Sequence, residues 1–105
     1  MGIKAVEKEM RYVKKPLPVE AVQIPETNGA REVDEWLRDT APDWVIEALD
    51  NHDAQINFDL GIYIYTLEGK MLCPWGSYLI RGEPFHEIYP CRADVFKETY
   101  EAVEE

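Results

Sequence analysis

The stretch Ile56-Asn57-Phe58-Asp59-Leu60-Gly61-Ile62-Tyr63-Ile64-Tyr65 decides the fold class. Ile56, Phe58, Leu60, Ile62 and Ile64 take every second position, and a period of two is that of a strand with one face in a core. Gly61, inside the run, marks either a bulge or a break into two strands. Downstream, Glu68-Gly69 reads as a hairpin turn from which Lys70-Met71-Leu72-Cys73 returns. Pro74-Trp75-Gly76 is a second turn, leading to the strand Ser77–Arg81. Gly82-Glu83-Pro84 is a third, leading to Phe85–Tyr89, which Pro90 closes.

Upstream, Val19–Ile24 is β-branched and reads as a strand, with Pro16 and Pro18 placing it at a sheet edge. Ala30 to Asp39 carries Val33, Trp36 and Leu37 at helical spacing, with Asn28 or Thr27 available as its N-cap. Trp44–Leu49 fits either a strand or further helix, because periodicity does not decide it. Ala93 to Val103 reads as a helix with Val95, Phe96, Thr99, Tyr100 and Val103 on one side. The sum is an α+β domain: an antiparallel β-meander or small barrel-like sheet with one central and one C-terminal helix. Residues 1–105 are read as a single domain, with 1–11 as a flexible start.

The chain has 105 residues and a formal net charge of −10. That charge is concentrated. Residues 16–69 hold twelve acids and only two bases, Arg31 and Arg38, and the remaining residues hold nine of each sign. A polyanion is bound largely by neutralising its phosphates, so the acidic centre excludes long nucleic acid as a partner. The near-neutral C-terminal part tolerates one small anion. No apolar run approaches the roughly 18 residues of a membrane span, and no secretory leader is present, so a cytoplasmic protein with free thiols at Cys73 and Cys91 is expected.

From Thr66 onward, TLEGKMLCPWGSYLIRGEPFHEIYPCRADVFKETYEAVEE resembles the C-terminal half of short phage and prophage proteins that end in a PGDYIIRG…GEFYPCKPDIFEATYE-like pattern. Leu79-Ile80-Arg81-Gly82 and Glu87-Ile88-Tyr89-Pro90-Cys91 carry the match over residues 66–103. The segment Tyr12–Gln23 is similar to the lysine-rich opening of many of them. The family's Pro-Gly-Asp-Tyr turn stands here as Pro74-Trp75-Gly76-Ser77-Tyr78. The resemblance implies a phage origin, an α+β fold and the cytoplasm of an infected bacterial cell. It implies no reaction.

No catalytic constellation is legible. Cys73 or Cys91 with His86 is the nearest approach to a nucleophile and base, and a pair of that kind arises readily by chance. Gly76 and Gly82 lack the lysine and helix of a phosphate loop. No enzyme, metal or cofactor is therefore expected. The candidate ligand-binding set is Trp75, Tyr78, Arg81, Phe85, His86 and Arg92, with Lys14 and Lys15 near it. Aromatic faces suit a nucleobase, and guanidinium forks suit its phosphates. The leading expectation is a counter-defence protein that sequesters a small nucleotide-derived immune signal, of the cyclic-nucleotide or ADP-ribose kind. Proteins of that type build pockets between subunits, so a homo-oligomer is expected, with Trp36, Trp44 or Trp75 at the contact. The alternatives are an acidic inhibitor that presents carboxylates to a host defence effector as a polyanion mimic, and an accessory phage protein without a ligand.

Overall fold

The computed structural model describes residues 18–82 and 87–103. The element order is β1 (Glu20–Gln23), α1 (Ala30–Asp39), α2 (Asp43–Asp50), β2 (Ala54–Asn57), β3 (Gly61–Thr66), β4 (Gly69–Pro74), β5 (Tyr78–Gly82), β6 (Glu87–Cys91) and α3 (Ala93–Thr99). The fold is α+β. Its six strands form two three-stranded antiparallel sheets, β1-β5-β6 and β2-β3-β4, which do not close into a barrel.

The alternating stretch is divided at its glycine. Ala54–Asn57 and Gly61–Thr66 run antiparallel, with Ile56 opposite Ile62 and Asn57 opposite Gly61. Asn57 Oδ1 accepts from the amides of Asp59 and Leu60, at 3.0 and 3.1 Å, and so holds the three intervening residues as a turn. Phe58 and Leu60 are consequently exposed, at 43% and 46%, although they continue the apolar alternation. Gly61 has a φ of 146° and is buried against the Cys73 carbonyl, where a β-carbon would collide with the backbone of β4. The next turn falls one residue earlier than its sequence indicates, on Leu67-Glu68. There the Thr66 hydroxyl donates to the Gly69 carbonyl at 2.8 Å and accepts from the Glu68 amide at 3.1 Å.

After β4 the chain changes sheets. Pro74 has no amide with which to extend the ladder. Gly76, at a φ of 90°, turns the backbone so that its amide donates to the Pro25 carbonyl at 2.8 Å. The Ile24 amide donates to the Ser77 carbonyl at 3.0 Å, which hands the chain over to β1. β5 then pairs with β1 on one side and β6 on the other. Pro90 lies within β6, opposite Leu79, and does not close the strand; an edge strand accommodates the missing donor.

Two helices fill the centre. In α1, Val33 and Trp36 are buried, and the Trp36 indole N–H donates to the Gln23 carbonyl at 3.1 Å, tying the helix to β1. Trp36 is therefore committed to the interior and offers no face to another subunit. Gly29 is the N-cap, and neither Asn28 nor Thr27 caps the helix. The Glu32 carboxylate occupies the place a Gly29 β-carbon would take, an acid at the positive end of the helix. Trp44–Leu49 belongs to α2, where Val45 and Ala48 are buried three residues apart. That spacing is helical, and Asp43 begins the first turn after Pro42. α3 stops at Thr99, short of Val103, and none of its residues is fully buried.

The core lies between the sheets and helices: Ile24, Trp36, Val45, Ala48, Ala54, Ile62, Ile64, Cys73 and Leu79. Each fully buried aliphatic side chain stabilises the fold by about 2 kcal/mol. No buried side-chain nitrogen or oxygen among the described residues lacks a partner.

Replacing Gly61 with alanine forces a β-carbon into the Cys73 carbonyl at a disfavoured φ. The expected cost is about 2–4 kcal/mol, seen as a lower urea midpoint. Leu67→Ala, at a side chain 96% exposed, is expected to shift stability by less than about 0.5 kcal/mol. An unchanged midpoint for Gly61→Ala contradicts this reading of the turn.

Candidate functional site

β5 alternates. Tyr78 and Ile80 face one side of their sheet, and Leu79 and Arg81 face the other. Leu79 enters the main core, and Tyr78 lies half-buried on the opposite face of the sheet, which it shares with the fully buried Ile80. There its ring stacks on Phe96 of α3, with centroids 3.9 Å apart and planes within 8°. Phe96 stacks in turn on Tyr100, at 5.0 Å and 23°. Tyr89, opposite Ile80 and so on the same face, hydrogen-bonds to Tyr100. Its phenol is pushed up to about 12 by burial, and further by that hydrogen bond and by the neighbouring Tyr100, Cys91 and Glu87.

Arg92 precedes α3, and its carbonyl accepts from the Phe96 amide at 2.8 Å. Its guanidinium donates to Asp94 at 2.8 Å with 75% of the side chain exposed. Asp94 is held below the usual carboxylate range, chiefly by the Val95 amide, with Arg92 contributing. Because Cys91 lies directly across from Tyr78, Arg92 and Tyr78 share one neighbourhood. The result is an aromatic shelf of Tyr78, Phe96, Tyr100 and Tyr89, with the solvent-facing Arg92 at the N-terminal end of the helix that carries Phe96.

The other sequence-selected residues go elsewhere. Arg81 is on the opposite face of β5, 2.7 Å from Glu20, its cross-strand partner. Trp75 is half-buried against the core, and its indole N–H donates to the Phe58 carbonyl at 2.9 Å, joining the β2–β3 turn to the turn after β4. Phe85, His86, Lys14 and Lys15 lie outside the described residues. Thus Tyr78 and Arg92 come together, while Arg81 and Trp75 are separated from them. Phe96, Tyr100 and Tyr89 join the shelf without having been selected. The signal for the first two was their spacing of four on one helical face, which reads equally well as core.

The two thiols are both free. Cys73 is fully buried, and burial pushes its thiol from 9.0 up to about 12, with Cys91 adding to the shift. Cys91 is also raised, by burial and by Asp94. Neither offers a ready thiolate at neutral pH. Among the described residues no group of three or more His, Cys, Asp or Glu side chains could hold a metal ion. No helix there is long and apolar enough to cross a membrane.

A groove of about 420 Å³ has its own lining residues, none of them shared with the shelf. It is formed where the end of β3 and the Leu67 turn meet the start of β6. Asp53 and Glu87 are the ionisable acids in its wall.

Compared with protein-family models, characterised proteins and solved structures, the chain matches none.

Because the folded Cys73 thiol is raised above the unfolded value, its contribution to stability is complete below about pH 9 and is lost as pH rises toward 12. The urea midpoint is therefore expected to fall between pH 9 and 10.5, and to fall less in Cys73→Ala. An equal fall in both proteins contradicts the assignment.

Proposed function

We propose that the chain is a non-catalytic binding protein that takes up a small nucleotide-derived immune signal, of the cyclic-nucleotide or ADP-ribose kind, and withholds it from a host defence system. The observation that carries this reading is the Tyr78–Phe96–Tyr100 stack with the exposed Arg92 at the N-terminal end of α3. An aromatic face contributes about 1–3 kcal/mol to holding a base. The Arg92–Asp94 pair is exposed, and pairs of that kind are worth about 0–1 kcal/mol, so the guanidinium is readily transferred to a phosphate. The shelf also belongs to the near-neutral part of a chain whose charge of −10 is concentrated elsewhere. The raised thiols support a role without nucleophilic chemistry. The resemblance of residues 66–103 to phage proteins supports counter-defence in an infected bacterial cytoplasm. A homo-oligomer is the proposed working form.

A second reading has its own observation. All twelve acids of residues 16–69 are exposed, and seven of them, Glu32, Asp34, Glu35, Asp39, Asp43, Glu47 and Asp50, belong to α1 and α2. An ordered acidic surface of this kind supports docking on a basic effector as a polyanion mimic.

Isothermal titration against a panel of cyclic mono- and dinucleotides and ADP-ribose isomers separates the two. Saturable binding of one member is expected, weakened about tenfold by Arg92→Ala or Tyr100→Ala and unchanged by Glu32→Gln with Glu35→Gln. Circular dichroism checks that each variant is folded. Absence of binding across the panel overturns the nucleotide reading. Capture of a basic protein in a strongly salt-dependent manner, lost in the Glu32/Glu35 variant, supports the second.

A further inference from the structure

The groove between β3 and β6 has a composition that the shelf does not share. Ile64 is buried at its floor and Ile88 is half-buried against the core. Leu67 stands almost wholly exposed at its rim, and Tyr65, 44% exposed, forms a side wall with its hydroxyl donating to Gln55 at 3.1 Å. Asp53 and Glu87 are exposed carboxylates, and no base is among its described lining residues. A phosphate would be repelled there. An apolar stem that carries a positive charge fits both parts of the wall, its methylenes along the isoleucines and leucine and its cation at the carboxylates.

The openness of the groove selects between a free amine and a peptide. A small ligand is held by a pocket that encloses most of its surface. Here the rim is an exposed hairpin tip, so a bound side chain remains partly in water. That arrangement suits a side chain whose position is also fixed by the rest of its chain. We infer that this groove is a docking site for an extended partner segment that presents lysine or arginine side chains on one face. The inference stands apart from the nucleotide reading, because the groove and the shelf have no residue in common.

The test uses the full chain and a fluorescein-labelled hexapeptide of alternating lysine and leucine, followed by anisotropy at 0.15 M salt. Saturable binding is expected, weakened roughly fivefold by Asp53→Asn with Glu87→Gln, since exposed charge pairs are worth about 0.2–1 kcal/mol each. Leu67→Ser is expected to weaken it about threefold through lost apolar contact. Glu32→Gln with Glu35→Gln, which removes the same charge from α1, is expected to leave it within about twofold. Absence of binding overturns the inference. So does equal weakening by the α1 and groove variants, which assigns the effect to net charge. Butylammonium competing as well as unlabelled peptide at equal concentration overturns the choice of a peptide. All of these variants change exposed side chains, so each is expected to remain folded.

Discussion

The whole arrangement depends on the close approach of Gly61 to the Cys73 carbonyl. At a φ of 146° the glycine ends the β2–β3 turn and starts β3 in the same step. Only a residue without a β-carbon can do this against the backbone of β4. With the turn fixed, Ile56 and Ile62 share a face, Ile64 follows, and Cys73 packs among them. That face forms half of the core. The other half comes from the second sheet, which the chain reaches only because Pro74 and Gly76 turn it toward β1. Trp75 links the two turns through its bond to the Phe58 carbonyl, so its indole works as a structural brace.

Much of this was legible in the residues. The alternation at 56–64, the turn glycines and the short returning strands gave the α+β class, and Gly61 marked where the run divides. The partition into two sheets was not legible. It depends on backbone bonds from Ile24 and Pro25, and on the side-chain amide of Gln23, to the turn after β4, which lies about fifty residues away and leaves no periodic trace. α2 was ambiguous for a local reason, since Trp44, Val45, Ile46, Ala48 and Leu49 are apolar on too many sides for either period to stand out. α3 shows the reverse case. Its apolar stripe is complete in sequence, yet Val95 stays 45% exposed, while Phe96 stacks on Tyr78 of the sheet.

The candidate site was only partly legible for similar reasons. Tyr78 and Arg81 are three residues apart in a strand, and a period of two sends them to opposite faces. Arg92 meets Tyr78 through the β5–β6 register, which pairs Tyr78 with Cys91. The charge distribution gave the more durable result. The acids of residues 16–69 are exposed, while the exposed bases Arg92 and Lys97 stand at the start and in the last turn of α3. One small chain therefore presents two surfaces of different composition: an aromatic shelf, and an apolar groove walled by two carboxylates.

The central claim is that the aromatic shelf of β5 and α3 is the ligand site. Aromatic-carbon NMR of the full chain, titrated with the nucleotide panel, tests it most directly. The account predicts that one nucleotide shifts the ring signals of Tyr78, Phe96 and Tyr100 together, leaving Tyr63 and Tyr65 in place. Shifts confined to Tyr63 and Tyr65, or no ring shift with any nucleotide, would contradict it.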